Sequence, residues 1–157
     1  MEQEHRGVAK LIVRVTGFGS PALLLSRKRA KGNPGHKMLE FLGGGVDGER
    51  PLEGLVRELE EEEKTGFLAR RVKLLAPDPR RLTVDGVPHY VYELSIGFDQ
   101  YLDLQHDRKE SFGFRLVPAS MLRDESVWSR LTERTRRILT EMGRRSPTTR
   151  KRRDHIE

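Results

Sequence analysis

The segment Gly43 to Phe67, GGGVDGERPLEGLVRELEEEEKTGF, constrains the chain more than any other. Three consecutive glycines cannot sit inside a stable helix, so they mark a strand end or loop. Pro51 suits the first position of a helix and Gly66 the position just past its end, which predicts a helix over Pro51 to Thr65. Leu52, Leu55, Val56 and Leu59 then form one apolar stripe, while Glu58, Glu61 and Glu62, at i, i+3 and i+4, gather on a neighbouring side. One side of this helix packs and the other offers carboxylates. Viewed alone, Glu60 to Glu63 is a solvated helix face, and the triple glycine is a turn. Their fixed spacing from one another is what asks for more.

The surroundings predict the rest of a domain. Val8 to Val15 and Ala22 to Arg29 read as strands joined by a turn, AKGNPGHK (30–37) as a loop, and Met38 to Leu42 as a short strand entering the glycines. Val72 to Leu75, Tyr90 to Ile96 and Phe112 to Val117 read as strands, and Trp128 to Met142 as a second amphipathic helix. Strands, helix, strands, helix is the order of an α/β fold with a mixed sheet between helices, not of a doubly wound parallel sheet. At 157 residues one domain is the default, over residues 1–142. The last 15 residues, 143–157, read as a disordered basic tail holding +4 of the net charge of +6. Without cysteine there is no disulfide framework, thiolate metal site or thiol nucleophile. The opening MEQEHRG lacks a signal-peptide pattern and no apolar run could span a bilayer, so the expectation is a soluble, cytoplasmic protein with no membrane partner.

Gly43 is followed after five residues by Glu49 and after seven more by Arg57-Glu58, then Leu59, one residue, and Glu61-Glu62. This resembles the Nudix box, G-x5-E-x7-R-E-U-x-E-E-x-G-U, position by position through Glu62. Six fixed positions in register arise by chance in roughly one chain of this length in a hundred thousand, and glutamate richness relaxes that only about tenfold. The closing glycine departs from the pattern: Glu63, Lys64 and Thr65 precede Gly66, two residues more than the box allows. Either the helix is longer or the glutamate pair slides to Glu62-Glu63, and the first preserves the spacing from Arg57-Glu58.

The resemblance implies a Nudix-type α/β/α sandwich and hydrolysis of a phosphate anhydride in a nucleoside diphosphate derivative such as ADP-ribose, an NDP-sugar or an NTP. It assigns the catalytic set to Glu58, Glu61 and Glu62 with Arg57, and metal binding to the three glutamates with Gly43. Gly43, Glu49, Arg57 and Gly66 would support the box, Arg57 by pairing with Glu49 or Glu61. Glu110 and Glu93 are candidates for an outer base or ligand. The implied cofactor is Mg²⁺, with Mn²⁺ as an option, because crowded carboxylates repel until a hard cation that takes oxygen ligands joins them. A small nucleotide is the expected partner. RNA reached through the basic tail, for 5′-end cleavage or binding alone, is the alternative, as is a catalytically silent nucleotide sensor. Relatives that cleave ADP-ribose are often dimers, which leaves a homodimer open.

Subfamily marks do not select a substrate. The proline expected about 16 residues past the box falls at Leu82, with Pro79 off register, the tyrosine expected about 18 residues past it falls at Asp85, and Leu42 stands where many relatives have proline. His36 reads as an exposed loop histidine, Tyr90 and Tyr92 as sheet residues, and Asp99, Asp103 and Asp107 as a loop without the EF-hand's glycine and closing glutamate. The segment around His36 lacks the glycine–lysine signature of a phosphate-binding loop.

Overall fold

The computed structural model describes residues 6–17, 19–30, 33–107 and 113–143. Among them seven strands form one mixed sheet: β1 (Gly7–Thr16), β2 (Ala22–Ala30), β3 (Asn33–Glu40), β4 (Leu42–Val46), β5 (Arg80–Val84), β6 (Val87–Gly97) and β7 (Phe114–Pro118). The helices are α1 (Pro51–Glu62), α2 (Phe67–Leu75), α3 (Phe98–Leu102), α4 (Glu125–Trp128) and α5 (Glu133–Glu141), with a 3₁₀ turn at Ala119–Arg123.

β1 is the axis. On one side it runs parallel to β6, from Val8 opposite His89 to Thr16 opposite Gly97. On the other side it is shared: Gly7–Leu11 pair antiparallel with β4, and Val13–Val15 with β2. The sheet therefore splits along this edge, and the glycines of β4 lie against the first half of β1. β2 continues outward to β3 and β7, and β5 closes the far edge on β6.

Period-two alternation sends the strands' apolar residues to two cores. Ala9, Leu11, Val13 and Val15 of β1 and Tyr92, Leu94 and Ile96 of β6 pack against Leu55 and Leu59 of α1 and Leu68, Ala69 and Val72 of α2. Ile12, Leu23, Leu25, Leu39 and Val91 pack on the other face against Leu131, Ile138 and Leu139. This is the expected α/β/α arrangement, with α1 and α2 on one face and α5 on the other. No helix among the described residues is long and apolar enough to cross a membrane.

Several elements differ from the sequence reading. Residues 33–37, within the expected loop, belong to strand β3, which runs on to Glu40 through the first part of the expected strand Met38–Leu42. Its place at the sheet edge is where Pro34, which cannot donate to a ladder, is tolerated. Val72–Leu75, expected as strand, ends α2, whose Leu68, Ala69 and Val72 turn inward. β5 and α3 were unforeseen. The expected helix Trp128–Met142 is broken at 129–132, where Leu131 bridges to Leu39 and Thr132 caps α5 by accepting the Thr135 N–H at 3.3 Å. The basic tail beyond Gly143 lies outside the described residues.

α5 is pinned to the sheet by His89, buried on β6: its Nδ1 sits 2.9 Å from Val87 O and its Nε2 accepts from Arg134 Nε at 3.0 Å. Burial pushes the His89 pKa below 6.5 despite the Val87 carbonyl, and Arg134 adds to the depression. A depressed histidine contributes stability above its unfolded pKa that is lost as pH falls through the folded one. Urea midpoints should therefore fall between pH 7.5 and 5.5, and His89→Gln should reduce that slope. An unchanged slope in the variant would remove His89 from the account.

Candidate active site

Glycine is required at Gly43 because its φ is +117° and an added Cβ would strike the Ala9 carbonyl across the β1–β4 ladder. Beneath it, buried Lys10 donates to Gly43 O and Phe41 O, both at 3.1 Å, and pairs with Glu40 at 2.5 Å. Burial raises the Glu40 pKa, but Lys10, with Lys28 and Arg134, outweighs it and holds the carboxyl below its ordinary value. The β3–β4 corner is thus fixed by one ammonium with three acceptors.

Gly44 leaves room for the Glu58 carboxylate, which a Cβ there would meet at 2.5 Å. Helix and glycine strand are therefore in direct contact. Arg57 binds them further. Its Nε and Nη2 donate to the two Glu49 carboxylate oxygens at 3.1 and 3.0 Å, Nη2 also to Gly45 O at 2.9 Å, and Nη1 to Glu58 at 3.1 Å. The Glu49 hydrogen bonds raise the Arg57 pKa, and the same bonds, with the Asp47 N–H, hold Glu49 below the usual carboxylate range. Arg57 holds the loop to the helix with its donors turned to protein oxygens.

The three helix glutamates occupy different environments. Glu61 is 52% exposed and lies 3.6 Å from Arg57; Glu58 is 19% exposed. Glu62 is only 4% exposed, accepts the Gly43 N–H at 2.9 Å and pairs with Lys28 of β2 at 3.2 Å. Burial pushes its pKa up, against the opposing pull of Lys28, the Gly43 N–H and Lys10. Among the described residues no three His, Cys, Asp or Glu side chains are gathered into a ready metal nest. As they stand, Glu58 and Glu62 are met by the protein's own cations. The donor set is nonetheless all carboxylate oxygen on adjacent turns of one helix, which suits a hard divalent ion and not a thiolate- or imidazole-seeking one.

Gly66 corrects an expectation. Helix α1 stops at Glu62, not Thr65, and Gly66, at φ +80°, is the N-cap of α2. The cause is Glu63, whose buried carboxylate accepts the N–H groups of Thr65 (3.1 Å), Phe67 (3.1 Å) and Gln105 (3.0 Å) and the Thr65 hydroxyl. The two extra residues are taken up in this exit turn. Glu63 is thereby committed to the turn, while Glu62 faces Gly43.

Glu93 is not brought to this site. It points to the sheet face opposite α1, beside Val91 in the alternation, and pairs with Arg14. Glu110 lies outside the described residues, as does the side chain of His36. Tyr92 is buried in the core under α1, which lifts its hydroxyl to about 12. Lys10 and Lys28 carry no mark in the sequence, because a lysine within a strand gives no local sign of a partner 30 or more residues away; Glu63 entered the sequence reading only as a member of a slid glutamate pair, not as the anchor of the exit turn.

Residues 5–138 match the NUDIX domain, and the chain belongs to the NUDIX family. It is a Nudix hydrolase, a class that generally uses divalent metal ions. No curated protein matches it in sequence. Among solved structures it is similar to a hydrolase of the NUDIX family from Clostridium perfringens, with 17% identity over 85% of this chain and 92% of that one and a TM-score of 0.53. It is also similar to the MERS1 protein of T. brucei in complex with RNA, with 17% identity over 85% and 50% of the two chains and a TM-score of 0.54. An Ap4A hydrolase from C. elegans is 20% identical over 72% and 80%, with a TM-score of 0.45.

Two neighbouring glycines separate backbone need from mere looseness. Gly43→Ala should lower stability by more than about 2 kcal/mol, from positive φ and a backbone clash. Gly45→Ala, with open space around its position, should cost under about 1 kcal/mol. Equal urea-unfolding losses would contradict the assigned role of Gly43.

Proposed function

We propose that the chain hydrolyses the phosphate anhydride of a small nucleoside diphosphate derivative, such as ADP-ribose, an NDP-sugar or an NTP, with Mg²⁺ held by Glu58, Glu61 and Glu62 and Mn²⁺ as a substitute. The observation that carries this reading is the juxtaposition of the Glu58 and Glu62 carboxylates with the Gly43–Gly44 backbone, inside a box that matches the pattern from Gly43 through Glu62. When bound, the cation neutralises charge on the pyrophosphate and makes a water more acidic.

The chain's own residues do the rest. Arg57 positions Glu58 and Glu61 and fixes the loop that presents them. With no cation bound, burial raises the Glu62 pKa above that of an exposed glutamate. Lys28, reaching Glu62 from β2, places a positive charge beside this carboxylate, suited to an anionic substrate. Glu110 is retained as the candidate outer base.

A panel of ADP-ribose, NDP-sugars, dinucleoside polyphosphates, NTPs and 5′-triphosphorylated RNA, assayed with and without EDTA, tests the reading. One class should be cleaved only with the cation, and Glu62→Gln should reduce turnover at least about 10²-fold. Cleavage of RNA alone would favour the RNA-directed alternative. Nucleotide binding without cleavage would replace the hydrolysis proposal with a sensor.

A further inference from the structure

Residues 1–142 hold two strongly basic stretches: 27–37, with Arg27, Lys28, Arg29, Lys31 and Lys37 and no acid, and 64–81. Residues 64–81 carry Lys64, Arg70, Arg71, Lys73, Arg80 and Arg81 against Asp78 alone, a net +5, whereas residues 1–142 together carry +2. The rest of that body therefore sums to a net negative charge.

Ion pairing divides the cations further. Lys10, Arg14, Lys28, Arg57 and Arg137 each stand against a carboxylate. Among the described residues none of the six cations of 64–81 does, and neither do Arg27, Arg50, Arg115, Arg123 and Arg130. Arg70 reaches only the Thr65 carbonyl at 3.2 Å, and Arg80 only the Glu141 carbonyl at 3.4 Å. Arg71 Nε, like Arg27 Nε, is shielded from solvent with no acceptor.

Arg70, Arg71, Lys73 and Arg81 lie on α2's side of the sheet, whereas Arg80, the ladder partner of Val91, lies on the other side, where it reaches Glu141 of α5. α2 buries Leu68, Ala69 and Val72 and turns Arg70, Lys73 and Leu74 outward along a groove of about 640 Å³ that Phe67 and Arg71 also line. The Arg71 guanidinium lies over the Phe67 ring at 5.6 Å, and Arg81 over the Tyr90 ring at 5.9 Å. Tyr90 packs with the core under α1 and α2, and Arg81 is its ladder partner, so both lie on α2's side of the sheet. Four residues join α2 to β5, so Leu75 and Arg80 are at most about 18 Å apart.

Unpaired guanidinium and ammonium groups flanking two arginine-covered aromatic rings fit a strand that carries both phosphates and flat bases. A membrane surface fits poorly, because the apolar stripe of α2 is already spent on the core and only Leu74 and Leu75 remain outside. We propose that the α2–β5 face is a docking surface for single-stranded RNA. It is separate from the basic tail and from the carboxylates of α1, and it does not depend on the hydrolysis proposal.

The test is fluorescence anisotropy of a labelled 12-nucleotide RNA with a 5′-hydroxyl, which offers no anhydride, titrated with the full chain between 50 and 200 mM NaCl. Arg70→Gln/Arg71→Gln/Lys73→Gln should raise Kd at least about tenfold and flatten the log Kd against log salt slope by about 2, the loss of three phosphate contacts on a single strand. Neutralising the tail arginines and Lys151 in the full chain should leave that α2 effect in place. Thermal melting checks that the variants are folded, and Arg81→Gln provides a second, independent weakening. The proposal is overturned if the wild type fails to bind, if folded α2 and β5 variants bind with unchanged Kd and slope, or if DNA of the same sequence or a glutamate-rich peptide binds more tightly than RNA.

Discussion

The Arg57 guanidinium is the interaction on which the site depends. It spends its donors on Glu49, on the Gly45 carbonyl and on Glu58, and so ties the loop after β4 to the helix that follows it. A lysine could not span these acceptors, because a point charge lacks the fork that meets both Glu49 oxygens at once. With the loop held, the glycine backbone of β4 lies flush against the helix and the Gly43 N–H meets Glu62. Without Arg57, Glu58 and Glu61 would lose the cation that orients them.

The site is also a balance between burial and charge. Glu62 sits nearly out of solvent, where an isolated carboxylate would be expensive, and it is tolerated because a backbone N–H and the Lys28 ammonium meet it there. Lys10 does the same for Glu40 at the adjoining corner. Glu58 and Glu62 thus carry their counter-charges with them in the same small region. A cation entering here competes with Arg57 and Lys28 for these oxygens, and so exchanges one set of positive partners for another.

Much of this was legible in the sequence. The register from Gly43 to Glu62 named the box, Pro51 marked the start of α1, and the aliphatic runs of β1 and β2 marked the core strands. What was not legible had physical causes. The exit of α1 is set by Glu63, whose partners include Gln105, 42 residues away, so Gly66 looked like the end of one helix when it opens the next. α2 is a short helix with an arginine-rich outer side, too brief for periodicity to outweigh the aliphatic look of Val72 to Leu75. Pro34 and Gly35 suggested a loop because the sequence does not say that their strand lies at a sheet edge. Lys10 and Lys28 are charged residues in strands, and only the tertiary fold shows which carboxylates they neutralise.

The central claim is that the helix carboxylates are the seat of a divalent cation. Titrating the full chain with Mn²⁺ and following the free ion by electron paramagnetic resonance addresses it without any assumption about substrate. The account predicts loss of free-ion signal with the wild type and none with folded Glu58→Gln/Glu61→Gln/Glu62→Gln. Equal Mn²⁺ binding by the two proteins would contradict it.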